Sequence, residues 1–243
     1  MQWTDEGLIL SVRAHGETAA VVELLTARNG RHAGLVHGGR SRRLRPVLQI
    51  GNHVDVTWKG RLAEQLGHMS LELRRGYAAE AMPDAAALAG LSTLVTMARL
   101  LPDRDPHPSL YEVTMFVLSF LDDRCVWPAL YARWELALLD ELGFGLDLAT
   151  CAATGVSEGL IYVSPRSGRA VSAAAGEPYK DRLLALPPFL RARTGGGEVT
   201  PAHLREALRL TGHFLEARVL TPAGHAMPEV RRRMIELMCR ETA

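Results

Sequence analysis

Residues Gly38-Gly39-Arg40-Ser41-Arg42-Arg43-Leu44-Arg45 put four guanidinium groups on one glycine-started stretch. Arginine offers planar, forked donors that match phosphate oxygens, and glycine lets a backbone approach an anion. The stretch lies within Arg28–Arg45, which holds six arginines (Arg28, Arg31, Arg40, Arg42, Arg43, Arg45) and no acid. Lys59 and Arg61 follow, and these eight are the candidate phosphate-binding residues. Four to six phosphate contacts would give single-strand binding a log–log salt slope of roughly −3 to −4. The plain alternative is a solvated basic loop that aids solubility. The net charge of +1 hides the asymmetry: residues 1–80 carry eleven Arg/Lys against eight Asp/Glu, and the rest 17 against 19.

A second basic run, Arg231-Arg232-Arg233, falls near the C-terminus. On a helix three consecutive residues fan around the axis. A solvated helix end is the plain reading, and a second contact to DNA or to an acidic peptide tail the sharper one.

Other motifs carry less. Gly155-Val156-Ser157-Glu158-Gly159 matches the nucleophile elbow G-x-S-x-G, which would make Ser157 a hydrolase nucleophile. That motif needs a strand before the serine and a helix after it, and here a strand-like Leu160–Val163 follows. His15-Gly16-Glu17 starts like a zinc-deaminase signature but lacks its Pro-Cys-x-x-Cys. Gly195-Gly196-Gly197 has no following Lys-Ser/Thr, so it reads as a loop, not a phosphate loop. The nine histidines show no metal spacing and read as surface or core polar residues. Cys125, Cys151 and Cys239 are odd in number and far apart, which argues against a disulfide framework and for a reducing compartment. No signal peptide is expected in Met1–Glu6, and the uncharged run Ala85–Ala98 is too short to span a bilayer.

The elements that must position the basic loop come in two kinds. Gly7–Arg13, Ala20–Thr26, Arg31–Val36, His53–Lys59 and Leu66–Arg74 read as short strands. Asn29-Gly30 predicts a tight hairpin with both turn residues at positive φ. In the fourth strand Val54, Val56 and Trp58 share one face, with His53, Asp55 and Thr57 on the other. Trp58 is therefore expected in the core, which leaves few aromatics (Trp3, Tyr77) to stack on bases. Five such strands suit a small OB-type barrel. After Pro83 the period becomes helical: Leu88, Leu91, Val95, Ala98; then Leu110, Val113, Val117, Phe120; then Leu130, Trp134, Leu138, Leu142. Thr200-Pro201 reads as an N-cap and first-turn proline, and Pro228 opens a last helix.

The order of Gly7-Leu8-Ile9-Leu10, His15-Gly16-Glu17-Thr18, Leu24-Leu25-Thr26, Gly38-Gly39-Arg40 and Leu48-Gln49 resembles the RecO family of bacterial recombination mediators. Arg133–Phe144, with its Leu142-Gly143-Phe144 end, then Asp147-Leu148 and Cys151, is similar to that family's helical half. The resemblance implies binding of single- and double-stranded DNA, annealing of complementary strands, and work with RecR. It also implies loading of RecA onto strands coated by single-strand-binding protein, whose tail is acidic. Many members carry two Cys-x-x-Cys pairs suited to zinc. Here only Cys151 stands, in Cys151-Ala152-Ala153-Thr154-Gly155, and the second pair would fall at Val171-Ser172-Ala173-Ala174. No metal and no cofactor are therefore expected. The segment should keep its turn through Ile161, Val163 and Val171, with Cys151 a buried small hydrophobe.

The reading is an α+β, multi-domain chain. An OB-fold barrel occupies 1–80, and a mostly α-helical domain 81–243 contains a degenerate ribbon-like insertion at about 151–175. The expected protein is a cytoplasmic, nucleoid-associated, non-enzymatic DNA binder with no membrane partner. The alternatives are a Ser157 hydrolase and a protein-interaction scaffold.

Overall fold

The computed structural model describes residues 1–62, 65–191 and 199–238. Cys239 and the Gly195–Gly197 loop lie outside the described residues. The chain divides into two compact units, Met1–Asp122 and Asp123–Ala243.

The first unit is built on a closed five-stranded barrel of order β1-β2-β3-β5-β4. Its strands are β1 (Gln2–His15), β2 (Ala19–Thr26), β3 (Gly30–Val36), β4 (His53–Lys59) and β5 (His68–Arg75). β1 begins earlier than the sequence pattern suggests, because Gln2–Glu6 pair along β4 while the rest of the strand pairs with β2. A register shift between Ile9 and Ser11 lets one strand serve both neighbours. Parallel pairing of Leu35 with His68 closes the barrel. Val54, Val56 and Trp58 point inward, as the alternation requires, and join Ile9, Val22, Leu24 and Met69 in the core.

The β2–β3 turn differs from the expected two-residue form. Only Gly30 takes positive φ (+64°), and Thr26 pairs directly with Gly30 across a three-residue loop. The buried Asp5 carboxylate holds this turn, accepting from the Arg28 N–H (2.8 Å) and Asn29 Nδ2 (2.7 Å). A Cβ on Gly30 would stand 2.2 Å from the Asp105 carbonyl oxygen, so the site admits no side chain.

Helices α1 (Tyr77–Ala81), α2 (Ala85–Ala98) and α3 (Pro108–Ser119) belong to the barrel's unit. The compact division thus falls at Asp122/Asp123, later than the change of period at 78–84. Side chains explain why: Arg31 donates to the Leu101 carbonyl (2.9 Å), Arg99 pairs with Glu23 (3.2 Å), and Tyr111 meets His53 (3.2 Å). α2 has apolar residues on most sides, and Leu88 is the large one left exposed.

The second unit contains α4 (Trp127–Glu141), a small sheet of β6 (Leu160–Val163) and β7 (Ala170–Ser172), α5 (Ala173–Gly176), β8 (Leu184–Ala185), α6 (Pro188–Arg191), α7 (Pro201–Phe214) and α8 (Glu229–Met238). The Thr200 hydroxyl accepts from the His203 N–H (3.2 Å), capping α7 with proline in its first turn. β6 is central in the sheet. Its register shifts between Leu160 and Tyr162, so Leu160 and Val163 are buried while Ile161 is 44% exposed. Ile161 is therefore not the packing residue the sequence suggests.

Candidate nucleic-acid interface

The stretch between β3 and β4 is a series of turns anchored at both ends. At its start, Arg40 donates from Nη1 to the carbonyls of Gly16 (3.2 Å) and Glu17 (3.0 Å). Gly39 lies so close to Ala20 that a Cβ would sit 2.8 Å from Ala20 Cβ. Its small size thus serves packing against the barrel, a role distinct from the anion approach that the sequence suggests. At its end, Leu48 is buried in the barrel core, with Leu44 and Val47 packed against it. Asn52 is buried and donates from Nδ2 to the Pro46 (2.9 Å) and Val47 (3.1 Å) carbonyls, while its Oδ1 accepts from the Ala78 N–H (3.2 Å).

Between these anchors Arg42, Arg43 and Arg45 are exposed. Among the described residues their guanidinium groups have no hydrogen-bond or ion-pair partner. Fixed backbone with unneutralised, forked cations is what a phosphate chain requires.

The other candidates separate. Lys59 and Arg61 are exposed and likewise unpaired among the described residues. Arg28 is 73% exposed, but its Nε pairs with Asp5 (3.2 Å) and its Nη2 donates to the Thr4 carbonyl (2.8 Å). Arg31 is a correction to the expected set: its side chain is only 18% exposed and is held by Glu23, Asp103 and the Leu101 carbonyl. Its charge is neutralised inside the unit.

Two histidines outside the expected set meet on the barrel surface. His37 and His68 stack with ring centroids 4.7 Å apart and planes 21° apart, and both are exposed. His68 stands directly across from Lys59 on β4. It lines a groove of about 600 Å³ with Lys59 and Arg61, and a second of about 480 Å³ with His37 and Arg43. The signal available in the sequence was His37's place, one residue before the glycine-arginine stretch. The other ring systems are occupied: Trp3 stacks on buried Trp58 at 5.7 Å, and Tyr77 is buried beneath the Arg75 guanidinium at 4.5 Å.

In the second unit Arg231 corrects the expected surface triplet. It is 5% exposed and bonded to Glu135, so only Arg232 and Arg233 face outward, and Arg232 pairs with Glu229. Ser157 lies in a loop before β6, and its hydroxyl has no hydrogen-bond partner among the described residues. The loop-then-strand setting is not an elbow.

Cys151 is buried. Its sulfur accepts from the Ser172 N–H (3.3 Å) and meets the Ser172 hydroxyl (3.5 Å). These contacts, first the Ser172 hydroxyl and then Thr154, hold the thiol below its ordinary value. One thiol beside two hydroxyls does not make a zinc donor set, and no group of three or more His, Cys, Asp or Glu suited to a metal occurs among the described residues.

Residues 1–77 match the family model "Recombination protein O N terminal", and residues 82–225 match "Recombination protein O C terminal". The chain belongs to the RecO family. Proteins named "DNA repair protein RecO" are 55% identical in Methylobacterium nodulans and 54% in Methylorubrum populi, each over 98% of both chains. The one from Rhodospirillum centenum is 50% identical over 97% of this chain and 94% of its own. This RecO-family chain is thus a DNA repair protein with the family's N-terminal barrel and helical C-terminal region. No helix among its described residues is long and apolar enough to cross a membrane.

Proposed function

We propose that this protein is a non-enzymatic recombination mediator acting in the cytoplasm at the nucleoid. The barrel at 1–80 is its DNA-binding domain. It holds single- and double-stranded DNA by the phosphate backbone and anneals complementary strands. The region 81–243 scaffolds and docks protein partners: RecR, and single-strand-binding protein through its acidic tail. RecA is loaded as a consequence. The observation that carries the reading is the trio Arg42, Arg43 and Arg45, exposed and unneutralised on an anchored loop. Five cations unpaired among the described residues, counting Lys59 and Arg61, would lower the repulsion between two phosphate chains brought together.

An annealing assay with complementary labelled oligonucleotides tests this. Wild type should accelerate pairing well above the spontaneous rate, and R42A/R43A/R45A should return it close to that rate. Equal acceleration by the two proteins would move the activity away from this loop.

A further inference from the structure

Two grooves share His68 in their lining near where β3 meets β5: one carries Lys59 and Arg61, the other His37 and Arg43. The alternation of the strands explains the arrangement. Val36 and Met69 point into the core, so their neighbours His37 and His68 point out. The parallel pairing of Leu35 with His68 brings the two rings to the same face and level. Two flat rings share one open face, with cations on either side that are unpaired among the described residues. Glu72 is the acid among the residues lining the groove that carries His37 and Arg43.

We propose that the His37–His68 pair is a base-stacking platform for an unpaired stretch of nucleic acid. The backbone is held on one side by Lys59 and Arg61 and on the other by Arg43. The proposal rests on the DNA-binding reading above and adds to it the choice of strand state. A nucleobase presents its flat face to an aromatic ring only when it is not paired and stacked in a duplex. Phosphate contacts alone would hold single and double strands alike. The ring pair therefore supplies a preference for single strands that the arginine loop lacks.

The test compares a 20-mer of deoxythymidine with an abasic 20-mer of the same length and charge, by fluorescence anisotropy. The proteins are wild type, H37A/H68A, H37F/H68F and R42A/R43A/R45A. Wild type should bind the thymidine strand roughly ten-fold more tightly than the abasic one, the scale of a stacked base. H37A/H68A should lose that difference and keep the wild-type salt slope, because no phosphate contact is removed. H37F/H68F should keep the difference. The arginine variant should weaken both strands together. A wild-type protein that holds both strands equally, or an H37A/H68A variant that still prefers thymidine, overturns the platform while leaving the arginine loop standing. Failure of wild type to bind either strand at low salt overturns the DNA-binding reading and the platform with it.

Discussion

Arg231 donates to Glu135 twice, from Nε at 2.7 Å and Nη2 at 2.8 Å, and the two side chains are buried together in the second unit. The carboxylate also accepts from the Tyr131 hydroxyl (2.8 Å) and the Thr211 hydroxyl (2.6 Å), and Arg231 donates to the Leu208 carbonyl (2.7 Å). Burial opposes the arginine's charge, but Glu135 more than offsets it and holds the guanidinium protonated. A buried pair with its lone pairs satisfied tolerates the loss of one partner poorly, since the other is left as an unpaired charge. E135A or R231A should each destabilise the second unit by about 3–5 kcal/mol in urea melts. R233A, an exposed neighbour, should change stability by less than about 0.5 kcal/mol. Equal small effects from R231A and R233A would return the arginine triplet to the surface.

Acid should destabilise the barrel. His32 lies in the barrel wall, edge-on to Trp3 and Trp58 at 5.2 Å from each, and neither ring nitrogen has a hydrogen-bond partner among the described residues. Burial first, then Arg104, lowers its pKa from the ordinary 6.5. Burial also lowers that of His53. The unfolded chain therefore binds protons that the folded barrel refuses. Stability is full above about pH 6.5 and falls as the pH drops from there toward the depressed folded values. Urea midpoints at pH 7.5, 6.5 and 5.5 should decline for wild type. The decline should be shallower for H32F, with His53 accounting for the remainder. An identical decline would absolve His32.

Loop anchoring is separable from loop charge. N52A removes the two donors to Pro46 and Val47 and leaves the Ala78 N–H unpaired. It should cost about 2–3 kcal/mol of stability. It should also weaken single-strand binding although every arginine remains. Thermal melts and anisotropy on the same samples check both parts, and unchanged affinity would mean the loop needs no anchor.

Much of the fold is legible in the residues because its signals are local. The strict alternation of His53–Lys59 placed Trp58 in the core, and Thr200-Pro201 marked a helix start that its hydrogen bond realises. What escaped is what depends on partners distant in sequence. The β1 extension carries Asp5 and Glu6, charges that argue against a buried strand until Asp5 meets Arg28 and Asn29 in the β2–β3 turn. Likewise, clustering in sequence grouped Arg31 with the loop arginines, but its partners are Glu23, Leu101 and Asp103. Arg231 looked like its neighbours Arg232 and Arg233 because helical phase alone does not reveal a glutamate 96 residues away. His37 and His68 meet only through the single parallel pairing that closes the barrel, and no periodicity announces that.

Arg42, Arg43 and Arg45 are expected to grip phosphates. Binding of a labelled single-stranded oligonucleotide across a salt series, for wild type and R42A/R43A/R45A, tests it most directly. Five contacts predict a wild-type log–log slope of about −3.5, and removing three should flatten it by about 2. A variant that binds with the wild-type slope would contradict the account and place the phosphate grip elsewhere on the chain.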